Sequence, residues 1–140
     1  MQFKSFHSVV VGSEVNYRSF TLVGHPKIPD GEYGLVQNYC DDIKCDCRRV
    51  IILVYKGKDV FATIGYGWEE YEFYRKWARG SLNKKEIIEY MGPCLHDQII
   101  NTSYSEEILK YVTAIVMDES LKRRIIQNYK LFRHIISQRN

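Results

Sequence analysis

Arg49-Val50-Ile51-Ile52-Leu53-Val54-Tyr55-Lys56-Gly57-Lys58-Asp59-Val60-Phe61-Ala62-Thr63-Ile64-Gly65-Tyr66 reads as a β-hairpin. The first seven residues form an almost continuous apolar, β-branched run, the pattern of a central strand buried on both faces. Lys56-Gly57-Lys58-Asp59 interrupts it with turn chemistry, and residues 60–66 resume it as the partner strand. Upstream, residues 32–39 place Tyr33, Leu35 and Gln37 on one face of a further strand. Pro26, Pro29 and Asp30-Gly31 mark a loop and turn before it. Residues 8–11 and 16–23 are β-branched and aromatic on either side of Gly12-Ser13-Glu14, and both are expected to be strands.

Downstream the period changes from two to 3.6. Residues 69–79 carry Tyr71, Tyr74, Trp77 and Ala78 at helical spacing, with Gly80 as the stop. Gly92-Pro93 interrupts the connection that follows. Ser103 with Glu106 three residues on has the form of a capping box ahead of Ile108, Leu109, Val112 and Ile115-Val116. Asp118 is placed to cap a last helix whose stripe is Leu121, Ile125, Phe132 and Ile136. Strands followed by helices predict an α+β fold, with an antiparallel sheet of about four or five strands in the N-terminal two-thirds. Three helices from the C-terminal half are expected to pack on one face of it. No repeat or long linker divides residues 1–140, so one domain is expected, with a cysteine-rich loop at 40–47.

That loop joins two of the strands. Tyr39-Cys40-Asp41-Asp42-Ile43-Lys44-Cys45-Asp46-Cys47-Arg48-Arg49-Val50 holds three of the four cysteines in the chain. Thiolate sulfur is a soft donor that suits zinc, a d¹⁰ ion content with tetrahedral geometry. Cys45 and Cys47, two apart, fall on one face of an extended segment. The four residues after Cys40, with Asp41 and Asp42 as turn formers, let the chain bring the third sulfur back. Lys44, Arg48 and Arg49 are placed to offset the charge of three thiolates, or else to be a solvated strand end.

A closed zinc site needs a fourth ligand. Cys94 and His96 in Pro93-Cys94-Leu95-His96-Asp97 are the leading candidates, ahead of His7, His25 and Asp46. The metal set is therefore Cys40, Cys45, Cys47, Cys94 and His96, with zinc as the expected ion and iron the alternative. Reduced structural cysteines and redox chemistry are the competing readings. A Cys45–Cys47 disulfide is disfavoured, because same-face neighbours on a strand fit its geometry poorly.

The segments Gly31-Glu32-Tyr33, Tyr39-Cys40-Asp41-Asp42 and Cys45-Asp46-Cys47-Arg48-Arg49-Val50 resemble an uncharacterised prokaryotic family with a Y-C-D-x-x-x-C-D-C-R-R-V core. The resemblance continues through Ala62-Thr63-Ile64, Tyr66-Gly67-Trp68, Gly92-Pro93 and Tyr129-Lys130-Leu131-Phe132, from about Pro29 to the end of the chain. It implies that Cys40, Cys45 and Cys47 act as a unit. It includes neither Cys94 nor His96, and it implies no activity.

Composition narrows the rest. With 45% hydrophobic and 26% charged residues the chain is globular in character, not disordered. A net charge of +3 is too mild to argue for nucleic acid. Met1–His7 lacks the apolar core of a signal peptide, and no apolar run approaches the ~20 residues of a membrane span. A cytoplasmic location without membrane partners is expected, where thiols stay reduced. Gly65-Tyr66-Gly67-Trp68-Glu69 reads as a tight turn, not a phosphate loop, since it lacks a Walker lysine. Trp68, Tyr71, Tyr74 and Trp77 read as core aromatics, not base-stacking platforms.

The reading that results is a small metal-binding domain, with zinc the ion expected from thiolate chemistry, in a binding or regulatory role. One alternative is a zinc-dependent hydrolase-type enzyme with an open coordination position and His96 or Asp97 as base. Another is a nucleic-acid or protein interaction module using Lys122, Arg123, Arg124, Lys130, Arg133 and Arg139 of the last helix.

Overall fold

A computed structural model describes residues 3–10, 18–96 and 101–139. The chain is α+β, as the order of strands and helices requires. Its elements are β1 (Phe3–Ser5), α1 (Phe6–Val9), β2 (Ser19–Leu22), β3 (Gly31–Cys40), β4 (Arg49–Lys56), β5 (Asp59–Gly67), α2 (Tyr71–Ala78), α3 (Lys84–Met91), β6 (Cys94–Leu95), α4 (Ser105–Val116) and α5 (Glu119–Gln138). The strands form one antiparallel sheet in the order β1-β3-β4-β5-β6, with β2 pairing the opposite end of β3 from β1. The β4–β5 hairpin pairs Arg49 with Gly67, Ile51 with Gly65 and Leu53 with Thr63, and carries a bulge at Val54/Tyr55.

Alternation along these strands builds two different faces. Tyr33, Leu35, Tyr39, Val50, Ile52, Val54, Ala62, Ile64 and Tyr66 pack with Ile108 and Val112 of α4 and Ile125, Tyr129 and Phe132 of α5. The opposite face bears Cys40, Arg49, Ile51, Gly65 and Gly67, and α2 and α3 cover that end of it. Tyr74 of α2 lies where a side chain on Gly67 would be, and Tyr90 of α3 stacks on Arg49. The helices therefore cover both faces of the sheet rather than one. Among the described residues the sheet has six strands and the C-terminal half four helices, the additional helix being α3.

Several local expectations change for identifiable reasons. Residues 6–9 are helical, not extended: Ser5 Oγ accepts from Ser8 N at 3.2 Å, and Phe6 and Val9, three apart, both bury. Val11, Gly12-Ser13-Glu14, Asn16 and Tyr17 lie outside the described residues. Gly65 and Gly67 belong to β5 and make no turn. The capping box forms at Asn83 and Glu86, at the start of α3, where Asn83 Oδ1 accepts from Glu86 N at 2.9 Å and Glu86 Oε1 from Asn83 N at 3.0 Å. Ser103 does not cap α4. Ser105 Oγ and Thr102 Oγ1 there donate to the Phe61 carbonyl at 2.8 Å each, tying the start of α4 to β5. Asp118 caps α5 as expected, accepting from Leu121 N at 3.2 Å.

Candidate metal centre

The loop between β3 and β4 owes its shape to its own backbone and to α5. Asp42 Oδ1 accepts from Lys44 N at 2.9 Å and the Asp42 carbonyl from Cys45 N at 3.0 Å, so residues 42–45 form a tight turn. Arg48 takes a left-handed conformation (φ 47°) that redirects the chain into β4. From α5, the Arg133 guanidinium donates to the carbonyls of Asp42 (2.7 Å) and Ile43 (2.9 Å). The Tyr129 hydroxyl donates to Asp46 Oδ1 at 2.8 Å and accepts from Arg48 N at 3.4 Å. From α2, the Tyr74 hydroxyl donates to the Arg48 carbonyl at 2.7 Å. Lys4 pairs with Asp41 at 3.2 Å from the β1 side.

This scaffold gathers three sulfurs. The Sγ atoms of Cys40, Cys45 and Cys47 all lie within 4.8 Å of one another. Cys40 and Cys47 are wholly buried, and Cys45 is half-buried. In a tetrahedral zinc site, ligands at about 2.3 Å leave sulfurs about 3.8 Å apart, so small side-chain rotations suffice to close on one ion.

Each sulfur also receives a backbone N–H from the residue two further on. Asp42 donates to Cys40, Cys47 to Cys45 and Arg49 to Cys47. Such donors favour the charged thiolate. The Cys47 thiol also donates to Cys40, and this bond most of all lowers the Cys40 pKa to about 6, against the opposing effect of burial. The same bond and burial push Cys47 up, while burial and the Cys40 charge push Cys45 up. Three close sulfurs without a cation thus hold their negative charge on Cys40. A divalent cation removes the repulsion that keeps the other two protonated. The donor set accordingly fits a thiophilic ion.

The remaining sequence candidates lie elsewhere. Cys94, in β6 opposite Gly65, donates its thiol proton to the Glu89 carbonyl at 2.7 Å. The backbone of His96 donates to the Thr63 carbonyl at 2.8 Å and accepts from Asn101 at 3.0 Å. His25 Nδ1 accepts from Lys27 N and Ile28 N, both at 3.0 Å, and His7 packs edge-on against Phe6. Among the described residues, no carboxylate, histidine or fourth cysteine joins the three-sulfur set. Asp97 lies outside the described residues.

The two loop arginines part company. Arg48 is 39% exposed and meets Asp46 at 3.0 Å and Glu69 at 3.4 Å. Burial alone would raise Asp46, but its bonds to Arg48 and Tyr129 hold the carboxyl below its usual range. Arg49 is only 5% exposed. Sequence reasoning missed the loop's anchors on α5 and α2, Tyr129, Arg133 and Tyr74. Of the core aromatics, Tyr74 is fully buried and Trp68 nearly so, and Trp77 stacks on Tyr90 with centroids 5.2 Å apart. No helix among the described residues is long and apolar enough to cross a membrane.

Compared with protein-family models, curated proteins and solved structures, the chain matches none of them.

Proposed function

We propose that this chain is a zinc-binding protein in which Cys40, Cys45 and Cys47 hold the ion, with a binding or regulatory role rather than a catalytic one. One observation carries the reading: three sulfurs within 4.8 Å, each supplied with a backbone N–H from the residue two positions on. Isolated structural cysteines have no reason to share that arrangement. The resemblance of residues 39–50 to a family motif built on the same three cysteines supports treating them as a unit. Reduced thiols in such a site belong in the cytoplasm, where glutathione maintains them. Zinc is preferred to iron as a d¹⁰ ion that three thiolates and tetrahedral geometry suit without redox chemistry.

The fourth position decides between a structural centre and a zinc enzyme. Cys94 is bonded to the Glu89 carbonyl in β6, three strands across the sheet from Cys40, so water is left to complete the coordination. The buried setting of Cys40 and Cys47 supports a structural or regulatory ion.

The test is metal analysis of protein purified without added zinc, with thiol counting and cobalt(II) substitution. The expected result is one ion per chain, a sulfur-to-cobalt charge-transfer band, and loss of both in Cys40→Ser and Cys47→Ser. Protein that stays metal-free in excess zinc, with three freely reactive loop thiols, would overturn the proposal. In Cys94→Ser, retained metal excludes Cys94 as a required ligand, whereas a matching loss of metal assigns it the fourth position.

A further inference from the structure

Arg49 poses a problem that the metal centre does not solve. Its side chain is 5% exposed, and Nε is buried without a hydrogen-bond partner. Among the described residues, no carboxylate pairs with it, and its guanidinium lies over the Tyr90 ring. A guanidinium has five N–H donors and keeps its charge at any accessible pH. Buried and so poorly matched, it requires an anion.

The loop cysteines Cys47 and Cys45 act electrostatically on the Tyr90 ring that Arg49 stacks on, but among the described residues no sulfur is hydrogen-bonded to the guanidinium, which points another way. Arg49 pairs with Gly67, yet its guanidinium reaches back along the sheet to lie over Gly65, in the space a side chain there would fill. Gly65 is on β5, on the far side of β4 from β3 and Cys40. The charged end is thus carried away from Cys40 and toward β6.

It is carried into a cavity. A space of about 440 Å³ is lined by Arg49, Tyr90, Trp77, Phe3, Leu82 and Leu95, within the size range of small-molecule sites. Its aromatic and aliphatic walls are shared with Cys94, His96 and two glutamates, and the space is open to solvent. One face of the guanidinium is covered by the Tyr90 ring at 3.8 Å, and Trp77 stacks beyond it at 5.2 Å. The in-plane N–H fork is the part of Arg49 left for a ligand. A planar carboxylate matches such a fork with two parallel hydrogen bonds. Glu86 and Glu89, which also border the cavity and are exposed, oppose a multiply charged phosphate more than a monoanion.

We propose that this cavity binds a small monocarboxylate with a flat apolar body, its carboxylate on Arg49 and its body against Tyr90, Trp77, Phe3 and Leu95. The site stands on the sheet face under α3 and does not depend on metal in the cysteine loop. Gly65 is the residue that makes it possible, because any side chain there would displace the guanidinium.

Benzoate is the probe, and benzamide its neutral isostere. Each is titrated into the full-length, zinc-treated protein and followed by the ¹⁵N–¹H resonance of Arg49 Nε and the indole resonance of Trp77. Saturable benzoate shifts at both are expected, with benzamide at least roughly tenfold weaker, since it lacks the charge-assisted fork. Arg49→Gln is expected to weaken benzoate by a similar factor. Equal affinity for the two probes, or no benzoate response at either resonance, overturns the proposal. So does an Arg49→Gln protein that weakens zinc while benzoate leaves the wild type unmoved, because the guanidinium then serves the thiolates. Should Arg49→Gln fail to fold, the contrast between benzoate and benzamide on the wild type decides. Absence of zinc from the purified protein bears on the metal centre alone.

Discussion

Cys40 and Cys47 share a proton unequally, and that inequality has a measurable consequence. Cys40, with a pKa of about 6, is ionised at neutral pH, while Cys45 and Cys47 are held protonated. Metal binding must then displace protons from the latter two, so affinity rises with pH as deprotonation costs less. Calorimetric titration of zinc in buffers of different ionisation enthalpy should show net proton release near neutral pH, shrinking as the pH is raised. Binding without proton release at pH 7 would contradict this assignment of charge. A second prediction concerns the strand glycines. In Gly67→Ala, the new methyl collides with the Tyr74 ring and hydroxyl, both fixed in the core. Overpacking of this kind costs about 1–3 kcal/mol. Loss of the Tyr74 bond to Arg48, which shapes the cysteine loop, adds to that. Urea unfolding of Gly67→Ala should show a lowered midpoint, and its zinc affinity should fall as well.

Helix α3 shows what a pattern reading overlooks and how the element can be tested. Lys84–Met91 has eight residues and buries only Ile87 fully, so its apolar period is too thin to stand out. Its signal was the cap, Asn83 with Glu86, an Asn-x-x-Glu variant of the box sought at Ser103. Asn83→Ala should cost about 1 kcal/mol in chemical denaturation. Because Tyr90 lies in the last turn of this helix, the variant should also loosen the packing on Arg49, visible as a changed Trp77 fluorescence. The long elements were legible for the opposite reason. In β4 five of the eight residues are buried, and α5 shows a full stripe with an aspartate cap. The three sulfurs were legible because residues two apart on a strand share a face and a short turn must return the third. The covering of both sheet faces was not, since the α2 aromatics fit either one. Nor was Arg49, because a charged residue at a strand end looks solvated in sequence. Gly65, on the same sheet face in the neighbouring strand, is the trace of its burial: glycine within a strand marks the close approach of another group.

At the scale of the whole molecule, the cysteine loop is a junction. It continues β3 and β4, receives Arg133 and Tyr129 from α5, and is tied to α2 through Tyr74. An ion binding only the folded loop therefore stabilises contacts between the sheet and helices on both of its faces. Linkage sets the scale: free zinc a thousandfold above its dissociation constant contributes about 4 kcal/mol. For a chain of this size, that corresponds to a rise in Tm on the order of 10–15 °C. Calorimetric scans with zinc and with a chelator should show one cooperative transition that shifts as a unit. A chelator that melts the loop while leaving the main transition in place would show the junction to be local. Arg133→Met separates the two possibilities further. Removing its bonds to the Asp42 and Ile43 carbonyls leaves all three sulfurs in place but loosens their frame. Zinc affinity should fall roughly tenfold, the effect typical of groups that orient metal ligands, and the gap between the zinc and chelator Tm values should narrow accordingly.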